Sequence, residues 1–208
     1  MPNRIDSMRK TPIQNRGRQT MDDLFEAAAQ LLDKMSPDEV NTNRIADRAG
    51  FSIGTLYSYF PNKASLLREM ALRELRRFEA SFEEIIETSR AEQPDDVIRQ
   101  IVRLALTPLN GRHRVRRKLV LIVGQDPAVQ AALHQAIDRM TDRFLVCVGI
   151  DPNEMSRTRR FLIFRSVLGP IRAAALHSAD LLALPEFEDD LVRVSLALLR
   201  ISAGSPAL

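Results

Sequence analysis

Little in this sequence supports catalysis, disulfide bonding or membrane insertion. It has one cysteine, Cys147, in 208 residues. That excludes an internal disulfide framework and fits a reducing compartment. Lying between Val146 and Val148, the thiol reads as a small buried apolar group. No apolar run reaches the roughly 18 residues that a membrane span needs. The N-terminal stretch lacks the apolar core of a secretory signal, so a cytoplasmic location is expected. No P-loop is present, and no Gly-x-Gly-x-x-Gly follows a strand. The three histidines, His113, His134 and His177, are scattered and lack metal-ligand spacing. No catalytic group, metal or cofactor is therefore expected, and an enzyme is disfavoured.

What is present describes a globular helical chain. Hydrophobic residues make up 45% and charged residues 27%, which argues against wholesale disorder. The net charge of +3 is unevenly placed. Residues 1–18 hold Arg4, Arg9, Lys10, Arg16 and Arg18 against Asp6, a net of +4, so the remainder sums to −1. Residues 1–17 read as a flexible basic arm suited to neutralising phosphates. The alternative is a solvated leader.

The most informative stretch runs from Asn41 to Lys63. Asn41 is an N-cap residue flanked by the apolar pair Val40 and Ile45, a hydrophobic staple. Ser52 repeats the pattern with Phe51 and Leu56, and Asn62 with Pro61 and Leu66. Gly50 sits where one helix must end in a sharp turn. Two short helices around a glycine make a helix-turn-helix. The exposed face of the second is expected to carry Thr55, Tyr57, Ser58 and Tyr59, groups suited to base edges and phosphates. An ordinary helical hairpin in a bundle is the competing reading.

The rest of the chain reads as further helices. The first spans about Arg18 to Met35, on the apolar stripe Leu24, Ala28, Leu31, Leu32 and Met35. The fourth is long, Lys63 to about Arg90, and its later residues Phe78, Phe82, Ile85 and Ile86 require a second body to bury in. A fifth carries Val97, Ile98, Ile101, Val102 and Leu104. Leu119 to Val123 reads as a buried helix, and Ala128 to Gly149 as another. A helix from about Pro152 to Leu176 has a kink expected at Gly169-Pro170. The last starts near Pro185. There Phe187, Leu191, Val194, Leu198 and Ile201 form a heptad seam, while Val192, Ser195, Leu196 and Leu199 make a second face. Two faces call for two partners, the chain's own domain and a second copy. Central burial in a monomer is the alternative. Arg165 interrupts the apolar run Phe161 to Phe164 and is read either as facing an anionic ligand or as pairing with an acid.

Residues 18–68 resemble the DNA-binding domain of TetR-type transcriptional regulators. The matching words are Leu24-Phe25-x-Ala27-Ala28, then Ile45-Ala46-x-x-Ala49-Gly50-Phe51-Ser52-x-Gly54-Thr55-Leu56-Tyr57-x-Tyr59-Phe60-x-Asn62-Lys63-x-x-Leu66-Leu67. The resemblance covers about a quarter of the chain. It implies an all-α homodimer, with a three-helix DNA-binding domain over residues 18–68 and a helical effector-binding and dimerisation domain over residues 69–208. It also implies that Ile53, Gly54, Thr55, Tyr57, Ser58 and Tyr59 lie on the recognition helix. Ser52 would cap that helix and also approach the DNA backbone, Thr42 and Asn43 would approach DNA from the preceding helix, and Lys63 would contact a phosphate. Asn43 departs from relatives that carry a longer side chain there.

The expected function is a ligand-responsive repressor binding a palindromic operator as a dimer. An unidentified small-molecule effector is expected in a pocket drawn from Phe78, Phe82, Ile101, Leu104, Leu121, Met140, Phe144, Phe161, Phe164 and Arg165. The alternative is a DNA-binding structural or partner-recruiting protein whose C-terminal domain is packed solid.

Overall fold

A computed structural model describes residues 15–89, 93–106 and 126–200, together with positions 115, 118 and 124. Among these residues the chain is all-helical, as expected. In order, the helices are α1 (Asn15–Lys34), α2 (Thr42–Ala49), α3 (Ile53–Tyr59), α4 (Lys63–Thr88), α5 (Pro94–Leu106), α6 (Pro127–Cys147), α7 (Arg157–His177) and α8 (Pro185–Arg200). A short 3-10 turn, Ala179–Ala183, precedes α8. The chain divides into two compact units, residues 1–74 with 112–130, and residues 75–111 with 131–208. A single cut after residue 68 was expected. Instead a later segment rejoins the first unit, because Val115 is buried in its core.

The first unit is built by the expected caps. Asn41 accepts from the Arg44 backbone N–H at 3.0 Å, and Ser52 accepts from that of Thr55 at 3.1 Å. Asn62 accepts from the Ser65 N–H at 2.8 Å, while the Ser65 hydroxyl accepts from the Asn62 N–H at 3.3 Å. Such reciprocal bonding satisfies two donors that a helix start leaves open. Gly50 ends α2 at φ 75°, a left-handed conformation that disfavours a side chain. Val40, Ile45, Leu56, Phe60 and Leu66 are all fully buried, so the apolar partners of the caps form the core itself. Phe25 of α1 packs on Phe60 with ring centroids 5.6 Å apart.

The second unit packs α5, α7 and α8 with the later parts of α4 and α6 around three phenylalanines. Phe164 meets Phe82 and Phe144 edge-on, at 5.5 and 6.0 Å between centroids. This is the favoured arrangement of ring quadrupoles.

Several boundaries differ from expectation. Helix α1 starts at Asn15, so Arg16 belongs to the helix and not to an arm. Helix α7 starts at Arg157, because the Ser156 hydroxyl caps it by accepting from the Arg159 N–H at 3.3 Å. Asp151 instead closes a tight turn, accepting from the Asn153 N–H at 2.8 Å. The helix runs on through Gly169 and Pro170. The basic arm before Asn15, the expected helix over Leu119 to Val123, and the seam residue Ile201 lie outside the described residues.

Candidate nucleic-acid interface

Helix α3 has two sides with different work. Leu56 and Tyr59 point into the core, with Phe60 just beyond the helix end. Ile53, Gly54, Tyr57 and Ser58 are exposed, and Thr55 is half-buried. The sequence expectation is corrected for Tyr59. Its ring is only 8% exposed and sits 6.4 Å from the Phe60 ring, so packing explains it. Tyr57, 42% exposed, is the tyrosine that the surface presents.

The hydroxyls of this surface are tied together. Tyr57 Oη lies 3.2 Å from Thr42 Oγ1, which links α3 to the first turn of α2. Ser52 Oγ lies 2.9 Å from Thr55 Oγ1, and the Ser58 hydroxyl donates to the Thr55 carbonyl at 2.7 Å. Asn43, on the first turn of α2, is exposed. Gly54 has ordinary backbone geometry, and a Cβ added there meets only Ser52 Oγ at 3.8 Å. No internal constraint therefore explains this glycine.

Lys63 also has a structural role within the first unit. Its ammonium donates to the Pro37 carbonyl at 3.0 Å and to the Val40 carbonyl at 2.9 Å. A group that gives two of its three protons to loop carbonyls holds the approach to α2. Lys118 does the same for the end of α1, donating to the carbonyls of Leu32 and Met35 at 2.5 and 2.9 Å. Four carbonyls, one in the last turn of α1 and three between α1 and α2, thus rest on two lysines. The loop is also closed by Glu39, which accepts from the Ser36 N–H at 2.8 Å. That backbone bond holds the Glu39 carboxyl below its ordinary range, with Arg44 and Lys118 adding to the effect. Arg44 donates to the Glu39 carbonyl at 3.1 Å, so this loop orders an arginine as well. Nothing in the spacing of Lys63 or Lys118 marks them as loop clamps.

The residues expected to line an effector pocket separate into groups. Phe82, Ile101, Met140, Phe144 and Phe164 are buried in the second core, with Phe78 and Leu104 packed half-buried against it. Phe161 is 55% exposed. Arg165 lies 4.2 Å over the Phe161 ring and pairs with Asp138 at 3.2 Å, the acid-pairing alternative. Leu121 lies outside the described residues. Among the described residues an apolar, half-open cleft of about 20 Å³ is bordered by Ile101, Val102, Phe144, Phe164 and Ser195. That volume admits about one water molecule. Ser195 does not offer its proton there, since its hydroxyl donates to the Leu191 carbonyl at 2.9 Å. A second space, an open groove of about 410 Å³, is lined by Asp95, Asp96, Arg99, Asp189 and Arg193 with Val192 and Leu196. Its charges largely answer one another, Arg99 binding Glu188 at 2.9 Å and Asp189 at 2.7 Å.

The expected dimer seam also divides. Leu191 is buried in the chain's own core, with Phe187 and Leu198 half-buried against it. Val194 is 47% exposed. The second face of α8, Val192, Ser195 and Leu199, is the side that the chain itself covers.

A capped, glycine-hinged pair of short helices with one hydroxyl-rich exposed face defines a helix-turn-helix DNA-binding protein. The family described as bacterial regulatory proteins, tetR family, matches residues 24–70. An HTH-type transcriptional regulator of Staphylococcus aureus is 36% identical over 78 residues, or 38% of this chain and 40% of that regulator. The chain thus spans 40% of the length of the curated relatives it first matches. A TetR transcriptional regulator from Rhodococcus sp. RHA1 has the same fold at 25% identity and a TM-score of 0.63, covering 89% of this chain and 98% of that one. The transcriptional regulator FadR from Bacillus subtilis, solved in complex with stearoyl-CoA, shares the fold at 17% identity and a TM-score of 0.57, with 89% and 98% covered. Residues 24–70 thus match the TetR-family DNA-binding domain, and the described residues share the fold of TetR-type regulators. Among the described residues, no helix is long and apolar enough to cross a membrane.

Proposed function

We propose that the chain is a repressor that binds a palindromic operator as a homodimer and is released by a small-molecule effector in its second unit. The observation that carries the DNA-binding part is the outward face of α3, whose exposed side chains have no role in the core. Thr42, Asn43, Ser52, Thr55, Tyr57 and Ser58 face DNA, with Ile53 and Gly54 at the point of closest approach. Arg4, Arg9 and Lys10 precede α1 and add phosphate contacts. The effector part draws support from α4, whose first twelve residues belong to one unit and whose remainder belongs to the other. Packing changes around Phe82 are then carried along one continuous backbone. FadR in complex with stearoyl-CoA shows that this fold accommodates a ligand in a relative.

Selection of operator sequences from random duplexes with the full-length chain tests this reading. The expected product is a palindrome whose half-sites lie about one helical turn, roughly 10 bp, apart or at a multiple of that spacing. Failure to enrich any sequence removes the proposal. A thermal-shift screen of small molecules then tests the effector. A ligand that stabilises the chain and weakens operator binding supports it.

The cavity favours a second reading. Ligand pockets ordinarily measure about 300–1,000 Å³, against about 20 Å³ for the half-open space that the described core residues border. If no compound in a broad screen stabilises the protein, the chain acts on DNA or on partners without an effector.

A further inference from the structure

Helix α3 reads Ile-Gly-Thr-Leu-Tyr-Ser-Tyr. It therefore holds no arginine or lysine for the paired acceptors of guanine, and no asparagine or glutamine for the donor–acceptor pair of adenine. Its readout falls to hydroxyls and to apolar groups. Five hydroxyls face the surface, on Thr42, Ser52, Thr55, Tyr57 and Ser58, and three of their five protons are engaged within the domain. One lies in the Thr42–Tyr57 bond, one in the Ser52–Thr55 bond, and one in the bond from Ser58 to the Thr55 carbonyl. Two protons remain for phosphates or for single contacts, and a lone hydroxyl contact distinguishes bases poorly.

The apolar side is more specific. Ile53 is 37% exposed although it is a large aliphatic residue, and no burial explains it. Beside it, a Cβ on Gly54 would meet, among the described residues, only Ser52 Oγ at 3.8 Å. The thymine C5-methyl is the one apolar group on the major-groove edges of the four bases. We infer that Ile53 reads thymine methyl groups, and that apolar contact is the chief base-selecting contact that α3 itself makes. This rests on the DNA-binding reading above and narrows it to a class of operator: half-sites with thymine opposite Ile53, approached closely across Gly54.

The test uses the full-length chain and the operator that it selects from random DNA. Each half-site thymine is replaced in turn by deoxyuridine, which removes only the methyl, and affinity is read by fluorescence anisotropy at fixed salt. At one or two positions the wild type is expected to lose about fourfold per methyl. Ile53→Ala should bind the thymine operator more weakly by a similar factor and be indifferent to deoxyuridine at those same positions. An unchanged melting temperature shows that the variant is folded. If a palindrome is selected but deoxyuridine weakens binding nowhere, or weakens Ile53→Ala and wild type equally, the inference is overturned and the DNA-binding reading stands. If nothing is selected, both fall.

Discussion

Gly54 meets no atom of its own chain that forbids a side chain. Alanine is the better helix former by roughly 1 kcal/mol in a helix interior, and the added methyl has only Ser52 Oγ at 3.8 Å as a neighbour. Gly54→Ala is therefore expected to hold or raise the melting temperature while lowering operator affinity, because the methyl projects where DNA approaches. Thermal melts and anisotropy titrations on one preparation check both halves, and unchanged affinity would remove Gly54 from the interface. Gly50 is the contrasting case. Its φ of 75° is needed to turn the chain, so alanine there is strained although nothing crowds it. The sequence alone separates these two glycines only in part. The position of Gly50 at the end of α2 announces its role, whereas that of Gly54 needs the open space around it. The tyrosines differ in the same way. Tyr57 and Tyr59 look alike in the sequence, and two residues on a helix point them about 200° apart. One ring closes the core and the other lies at the surface.

Caps and staples made the starts of α2, α3 and α4 legible, because each is a local pattern within four or five residues. What joins them is not local. Asp126 caps α6 by accepting from the N–H groups of Ala128 and Val129 at 2.9 and 3.2 Å, and it also takes the Arg68 guanidinium at 2.6 Å. The partners are 58 residues apart, and no short-range periodicity foretells such a pair. Burial alone raises the Asp126 carboxyl, but Arg68 and the two backbone donors outweigh it and hold the group below its ordinary value. A carboxyl lowered by folding contributes stability that is complete above its unfolded value, about 3.9, and is lost as pH falls through the lower folded value. Asp126→Asn keeps a capping oxygen but loses the ion pair. It is expected to melt lower than wild type at pH 7, with the two converging as pH is taken below about 4. A constant gap between the two melting curves from pH 7 to pH 3 would show that the ionised carboxylate contributes nothing. Lys63 and Lys118 are the other long-range ties. Their carbonyl partners were invisible to a reading that assigned a basic residue near a helix-turn-helix to phosphate.

At the scale of the whole molecule, exposed apolar residues concentrate in the second unit. Phe161 and Leu162 on α7 and Val194 on α8 all lie open to solvent. Both helices also bury a face within their own unit, through Ile163, Phe164 and Val167 of α7 and through Leu191, Val192 and Leu199 of α8. Helices apolar on both sides require a second partner, and a second copy of the chain is the one proposed here. The heptad spacing on α8 showed that a second face exists. It did not show which residues the chain keeps for itself, since Leu191 and Val194 occupy equivalent-looking steps. Val194→Asp is accordingly expected to shift the protein toward monomer in sedimentation equilibrium and to weaken operator binding at least tenfold. Leu191→Ala should instead lower thermal stability, by about 2–5 kcal/mol for a buried leucine. A dimer unaffected by Val194→Asp would place the interface elsewhere. The two-sided character of α3 has a further consequence for descent. The residues that fold the first unit, Leu56, Tyr59 and Phe60, share no position with Ile53, Gly54, Tyr57 and Ser58. Duplicated copies can therefore exchange one DNA address for another through a few outward substitutions, each nearly silent in stability, while the sensing unit is inherited unchanged.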